Sequence, residues 1–395
     1  MSPVFPPLAN KLGELKSSAI RDLLKLTSRA DIIGLAGGLP DADLMPRERL
    51  AKAAEGALSD NSCLQYTESP GWPALRAVLA ARESAKLGRT VPVEEVFVTH
   101  GSQQALSLLA EVLLDPGALV IVEDPAYVGA LQVFRAAGAR IVAVPLDREG
   151  MRTDLLAELL ARGERPAFVH TVSNFHNPGG VTMSPARRRE LAELADAHGF
   201  WVIEDDPYGE LWFDNPAPAP VATYSRNVIR LSSSSKILSP ALRVGWLVAP
   251  DPVCRAVELL KQGADLCGSA LTHQIAAELL ADEAWLTAHI DTVRAAYGAR
   301  AKALVHAFRA RFGDRATCTD ASGGMFVWAD FTDGTDTEAL LPKALDAGVA
   351  YVPGSAFAVD GGYRNSMRMC FTTSEAATLE QAIDRLARAA QSTQL

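Results

Sequence analysis

The sequence has no long apolar run, no block of like charge, no internal repeat and little cysteine, and each absence removes a class of function. No stretch approaches the roughly 18 consecutive apolar residues of a membrane span. The N-terminus, MSPVFPPLANKLGELK, lacks the apolar core of a secretory signal. A cytoplasmic protein without membrane contact is the expectation. The net charge is −9 and no basic stretch stands out, so a nucleic-acid surface finds no support. The cysteines (Cys63, Cys254, Cys267, Cys318 and Cys370) are scattered, with no CxxC pair and no Cys/His cluster at metal-ligand spacing. No metal site is expected, and the odd count speaks for buried reduced thiols rather than a disulfide framework.

What is present is an ordinary globular composition, 48% hydrophobic and 22% charged over 395 residues. That length supports a large core and two or three domains. The middle of the chain alternates short apolar runs with amphipathic stretches. The runs are Val96–Thr99, Leu119–Glu123, Ile141–Pro145, Ala167–Val172, Trp201–Glu204, Val228–Leu231 and Val244–Val248. They are rich in Val and Ile and continuous rather than alternating, the pattern of strands buried on both faces. Helical periodicity lies between them, as in Gln103–Leu114 and Pro185–Ala197. Strand–helix alternation predicts an α/β fold with a mainly parallel sheet. From about Ala284 the texture changes to a long helix through Phe312, strand-like pieces at Met325–Ala329 and Met367–Phe371, and a closing helix at Ala377–Ala390. The expected division is a large domain over 46–285 and a smaller α+β domain built from 1–45 and 286–395.

Ligands of open parallel sheets bind beyond the carboxyl ends of the strands, so the residues after each run carry the chemistry. Gly101–Ser102–Gln103 opens a helix whose free N–H groups suit a phosphate; Ser102 is equally a plain N-cap. Tyr127 ends the segment DPAY as an aromatic at the sheet mouth or a loop residue closing the core. Asn177 stands in SNFHNPGG, which is also ordinary turn chemistry. Asp205 and Asp206 in EDDPYGE end a buried strand, where carboxylates need partners, and Tyr208 follows within reach. The densest segment is VIRLSSSSKILSPALRVGWLVAP. There hydroxyls lead into Lys236, and Arg243 follows. Shielding lowers a lysine pKa and makes it an imine-forming amine, and Arg243 offers planar donors to a phosphate.

These residues, with LAGGLPDADLMP, LQYTESPGWPALR, VTHGSQQAL, SGGMFVW, YVPGSAF and MRMCF in order along nearly the whole chain, make the sequence resemble the fold-type I pyridoxal 5′-phosphate (PLP) aminotransferases, in the subgroup of the 2-aminoadipate and kynurenine enzymes. The resemblance implies the PLP-transferase fold and transfer of an amino group from an L-amino acid to a 2-oxo acid by a ping-pong route. Matched by position, Lys236 is the imine-forming lysine and proton carrier. Asp205 pairs with the pyridine nitrogen, Asn177 and Tyr208 serve the phenolic oxygen, and Tyr127 stacks on the ring. Ser102, Gln103, Ser233, Ser235 and Arg243 form the phosphate cradle. Tyr66 reaches the phosphate of a neighbouring subunit, implying a homodimer. Arg368 grips the substrate α-carboxylate and Gly38 brings backbone close to it. Arg21 matches an arginine that some aminoadipate enzymes use for a distal carboxylate; beside Asp22 it also reads as a surface-helix residue. Leu35, Leu39 and Phe326 are candidates for a side-chain pocket or for the core.

The chain departs from the family pattern at Ser173, where Pro is frequent, at His176, where Gln is frequent, and at Gly179, where Thr or Ala is frequent. A rival to transamination is another PLP reaction on a specialised amino acid (elimination, racemisation, cyclisation or oxidation), because the same lysine and aspartate serve all of these. A transcription regulator that fuses a helix-turn-helix module to an aminotransferase-like domain is set aside, since the match begins almost at once and no basic patch is present.

Overall fold

The computed structural model describes residues 31–391; Arg21 and the rest of the first thirty residues lie outside them. The central sheet has eight strands: β1 (Val96–Thr99), β2 (Leu119–Asp124), β3 (Arg140–Asp147), β4 (Gly150–Met151), β5 (Phe168–Thr171), β6 (Trp201–Asp205), β7 (Val228–Ser233) and β8 (Gly245–Val248). Their order is β1-β8-β7-β6-β5-β2-β3-β4. The run β7-β6-β5-β2-β3 is parallel throughout. β8 runs antiparallel to both of its neighbours, and β4 is a short antiparallel return on β3. The continuous apolar reading of Val244–Val248 did not distinguish this direction. The reason is the connection: Ser234–Val244 holds only two short 3-10 turns, too little chain for a crossover to a parallel strand.

The continuous apolar runs resolve into two alternating sets. Val120, Val122, Phe168, Ile203, Ile229, Leu231 and Leu247 pack under helices Ser102–Leu113, Val128–Ala136 and Asp251–Ala264. Val96, Val98, Ile121, Val169, Val202, Val228 and Trp246 face the other way, with Leu75 and Leu79 of helix Pro73–Leu87 and Leu191 and Ala195 of helix Pro185–His198. Each such side chain taken from water contributes roughly 1.5–3 kcal/mol, which is why both faces must be covered.

A second sheet, β9 (Ala316–Cys318), β10 (Phe326–Phe331), β11 (Val352–Pro353) and β12 (Ser366–Cys370), is antiparallel in the order β9-β10-β12-β11. Helix Glu283–Phe312 leads to it, and helix Ala376–Gln391 packs on that helix. Ile33–Gly34 pairs in parallel with Val349–Ala350, so the start of the described chain lies against this region. All five cysteines are free thiols.

Behind β6 and β7 lies a buried ion network. Arg230 places Nε 2.9 Å from Glu83 Oε2 and Nη2 2.8 Å from Asp206 Oδ2. Glu204 stands 3.8 Å from Arg230 and 3.6 Å from Arg188, and Lys86 is 4.0 Å from Glu83. Trp246 Nε1 donates to Glu83, and Ser173, Val221 and Ala222 donate to Glu204. Three carboxylates thus meet three cations. Removing the central cation strands two buried carboxylates, so Arg230→Met is expected to destabilise the protein by about 3–5 kcal/mol, read as a lower urea midpoint. An unchanged midpoint would show that the network is not structural.

Candidate active site

Six strands point the same way, so their carboxyl ends share one edge of the sheet. β8 begins at that edge because it runs backwards, which brings Arg243 there as well. A cavity of about 500 Å³ opens between this edge and the second sheet. Gly38, Ser102, Gln103, Tyr127, Asn177, Asp205, Tyr208, Ser233, Ser235, Lys236, Arg243 and Arg368 all line it. Tyr66 does not; it is 76% exposed on the surface of the single chain. Of the candidate side-chain pocket residues, only Phe326 lines the cavity. Leu35 is fully buried in the core and Leu39 is exposed.

At the β1 end, the helix cap is Gly101 and not Ser102, which is the first helical residue. Gly101 has φ 77° and ψ 167°, a region open essentially to glycine alone, and a Cβ there would stand 2.5 Å from Arg243 Nη2. The cap therefore needs glycine twice over, and Ser102, the first residue of the helix, lines the cavity. Gln103 donates to Gly129 O at 3.0 Å and accepts from the Tyr127 hydroxyl at 3.2 Å. Gly129, lacking a Cβ that would meet Tyr127 at 2.6 Å, lets the ring lie close. Burial, helped by the Asp205 charge, pushes the Tyr127 hydroxyl up to about 12.

Strand alternation separates the two aspartates at the end of β6. Asp206 shares a face with Glu204 and is taken up by Arg230 and by Gly209 N–H at 2.8 Å. Asp205 faces the other way, into the cavity. Its Oδ1 is buried with no partner among the described residues, and its Oδ2 lies 3.9 Å from His170 Nε2. An unpartnered carboxylate oxygen in such a place calls for a cationic donor from a ligand.

Lys236 sits in the turn after β7, where Ser233 Oγ accepts from Ser235 N–H at 3.1 Å. Its Nζ donates to Gly38 O at 3.0 Å, with no ion-pair partner among the described residues. Burial lowers its pKa to about 8; Cys370 opposes the shift, while Arg368 and Arg243 add to it. Arg243, at φ 53°, is held in the left-handed region and donates to His100 O at 2.8 Å. Arg368, from β12, donates to Asn177 Oδ1 and to Ala36 O, each at 2.8 Å, and its Nε is buried without a partner among the described residues. Its guanidinium lies 4.2 Å from the Phe326 ring centre and 4.9 Å from that of Phe357. Burial lowers its pKa to about 10. Asn177 Nδ2 donates in turn to the Tyr208 hydroxyl at 3.4 Å, and burial raises that phenol strongly.

Phe357, the Arg230 network and the contact between Glu123 and His176 had no reading in the sequence. Phe357 lies in YVPGSAF, a matched segment without charge or hydroxyl to mark it. Glu123 precedes Asp124 as an acid at the end of an apolar run, and that was the available signal.

Residues 30–386 match the model of the aminotransferase class I and II family, and the chain belongs to that family. It is 38% identical over 381 residues to aromatic-amino-acid aminotransferase 1 of Thermococcus litoralis, covering 94% of this chain and 91% of that one. It is 39% identical over 385 residues to 2-aminoadipate transaminase of Thermus thermophilus, covering 95% and 94%. The crystal structure of a Pyrococcus horikoshii kynurenine aminotransferase, in complex with PMP and KYN as substrates and KYA as product, superposes with a TM-score of 0.92 at 36% identity, over 98% and 97% of the two chains. The protein is a pyridoxal-phosphate-dependent aminotransferase. The cavity fits that cofactor: among the described residues a buried carboxylate oxygen lacks a donor and a half-buried amine lacks a counter-charge, and a glycine-capped helix meets an arginine where a side chain would fill the space.

Proposed function

We propose that Lys236 is the catalytic amine of this aminotransferase and that Asp205, not Asp206, is its acidic counterpart. The observation that carries the reading is the pairing, within one cavity, of a half-buried lysine without an acid partner and a buried aspartate oxygen without a donor among the described residues. Pyridoxal phosphate, when bound, supplies the electron sink that takes up the pair released as the substrate Cα loses its proton. The chain's own residues do the rest. With the cofactor in place, Lys236 in its neutral form would take that proton from the substrate Cα and return it two bonds away, at cofactor C4′. Asp205 holds a proton on the ring nitrogen. Asn177 and Tyr208 donate to the phenolic oxygen, and Tyr127 covers the ring face. Ser102, Gln103, Ser233, Ser235 and Arg243 hold the phosphate. Arg368 grips the α-carboxylate with paired donors, while the backbone near Gly38 closes on the substrate.

The cations of the cavity are Lys236, Arg243 and Arg368. All three are used by this assignment, leaving none among the described residues for a distal carboxylate. Phe326 presents an apolar wall instead. A neutral, bulky amino acid is therefore the donor we favour, in keeping with the aromatic and kynurenine enzymes among the relatives. Arg21 would be the residue to admit a dicarboxylic donor.

We further read residues 46–285 as the large domain, and 1–45 with 286–395 as the small one. A cytoplasmic homodimer is the assembly we favour. Tyr66, Leu64 and Leu266 are exposed in the single chain, large apolar groups that a subunit interface would cover. Through it Tyr66 would reach the partner's phosphate.

Mixing the PLP-loaded protein with single amino acids, without an oxo acid, should convert the visible cofactor band to the near-ultraviolet band of its amino form. The conversion should be fastest for neutral bulky donors and reversed by a 2-oxo acid. Fastest conversion by 2-aminoadipate, lost in Arg21→Ala, would reverse the substrate assignment. Cofactor capture by the apo-protein needs neutral Lys236. Its rate should climb about tenfold per pH unit below about 8 and level off above; a midpoint near 10.5, the ordinary lysine value, would contradict a shielded amine. Sedimentation should find a dimer, and Tyr66→Phe should weaken PLP retention without dissociating it; a monomer of full activity would refute the shared site.

A further inference from the structure

The geometry points to the buried Glu123–His176 pair as a positioning device that sets the amide of Asn177 and, through it, the arginine that meets the substrate carboxylate. This rests on reading Arg368 as that arginine.

Glu123 and His176 are 2% and 1% exposed. His176 Nε2 stands 3.1 Å from Glu123 Oε2, within reach of the ring N–H though off its axis. The other ring nitrogen, Nδ1, accepts the Gly179 N–H at 3.0 Å. That contact fixes the tautomer: Nδ1 carries the lone pair, and the proton is on Nε2, facing the carboxylate. Glu123 is completed by the Thr171 hydroxyl at 2.6 Å and the Val172 N–H at 2.8 Å. Burial alone would raise its pKa, but the ring and these donors more than offset that and hold it below the ordinary value.

The backbone of His176 is pinned as well. Its N–H donates to Val181 O at 2.8 Å and its carbonyl accepts from Gly180 N–H at 2.6 Å. Pro178 has no N–H, so Gly179 is the first donor the turn can offer to the ring. A Cβ on Gly179 would stand 3.1 Å from Nδ1, closer than the ring tolerates without shifting. The two departures from the family pattern noted in the sequence, His176 and Gly179, are therefore in contact, and the missing side chain of one makes room for the ring of the other.

The residue held next in line is Asn177. Its Oδ1 accepts from Arg368 Nη1 and its Nδ2 faces the Tyr208 hydroxyl. A turned or displaced amide removes one of the two acceptors that aim the guanidinium. Misplacing a substrate-binding group by about 1 Å costs up to a hundred-fold in rate.

The test uses the PLP-loaded enzyme carrying His176→Leu, His176→Gln or Glu123→Gln. His176→Leu should raise KM for the amino donor about tenfold or more, with a smaller change in kcat. Calorimetry should show a matching loss of affinity for hydrocinnamate, a carboxylate with no amino group to react. Glu123→Gln should move both in the same direction. His176→Gln, which offers a donor and an acceptor from one side chain, should recover most of the loss. A variant that unfolds at lower temperature while keeping wild-type KM and hydrocinnamate affinity would show a purely structural pair and overturn the proposal. If His176→Leu does not fold, Gly179→Ala, which pushes the ring from the far side, should show the same rise in KM; an unchanged KM there also overturns it. Arg368→Lys serves as the reference. If it leaves hydrocinnamate affinity intact, the reading of Arg368 fails and the proposal with it. If it weakens binding while the His176 variants do not, only the positioning role fails.

Discussion

Arg230 is the contact on which the site depends. It lies behind the sheet, 2% exposed, between Glu83 of one helix and Asp206 at the end of β6. Charges so deep are tolerated only when every one is met, and here Glu204, Arg188 and Lys86 complete the balance. The network binds β6 and β7 to the two helices that cover them. Those neighbouring strands deliver Asp205 and Lys236 to the cavity. Because the rear face is electrically closed, the front face can keep an aspartate oxygen and a lysine amine open for a ligand.

Much of this was legible in the chain. The apolar runs marked the strands to within about two residues, and the residues after them converged on one cavity as expected for a parallel sheet. Local pattern did not carry direction: the run Val244–Val248 has the composition of its parallel neighbours, and only the shortness of Ser234–Val244 reverses it. Nor did it carry the helix cap, because a serine beside a glycine reads as the cap until the backbone angles are known. Leu35 and Leu39 stand close together in sequence, yet one is core and the other surface, a difference set by tertiary packing. Long-range partners such as Glu83 for Arg230, or Phe357 for Arg368, leave no local trace at all.

The cavity is electrically lopsided. Three cations face a single carboxylate across it. A ligand with a phosphate at one end and a carboxylate at the other balances that distribution, and a neutral or cationic molecule does not. Charge here decides what enters before shape decides how it sits. Burial lowers the pKa values of both Lys236 and Arg368, and for Lys236 the two arginines add to the fall while Cys370 opposes it.

The reversed strand β8 has a mechanical meaning. Ser233 and Gly245 are paired across the ladder, and the Ser234 N–H and hydroxyl both reach Val244 O at 3.0 Å. Lys236 and Arg243 thus ride on one clip whose two feet are clamped side by side in the same sheet. A crossover connection would have put a helix between them and let each drift with its own element. The clip works as a calliper: the backbone sets how far apart the two side chains leave the sheet, Gly38 O and His100 O hold their tips, and a ligand must match that span at both ends to be held by both.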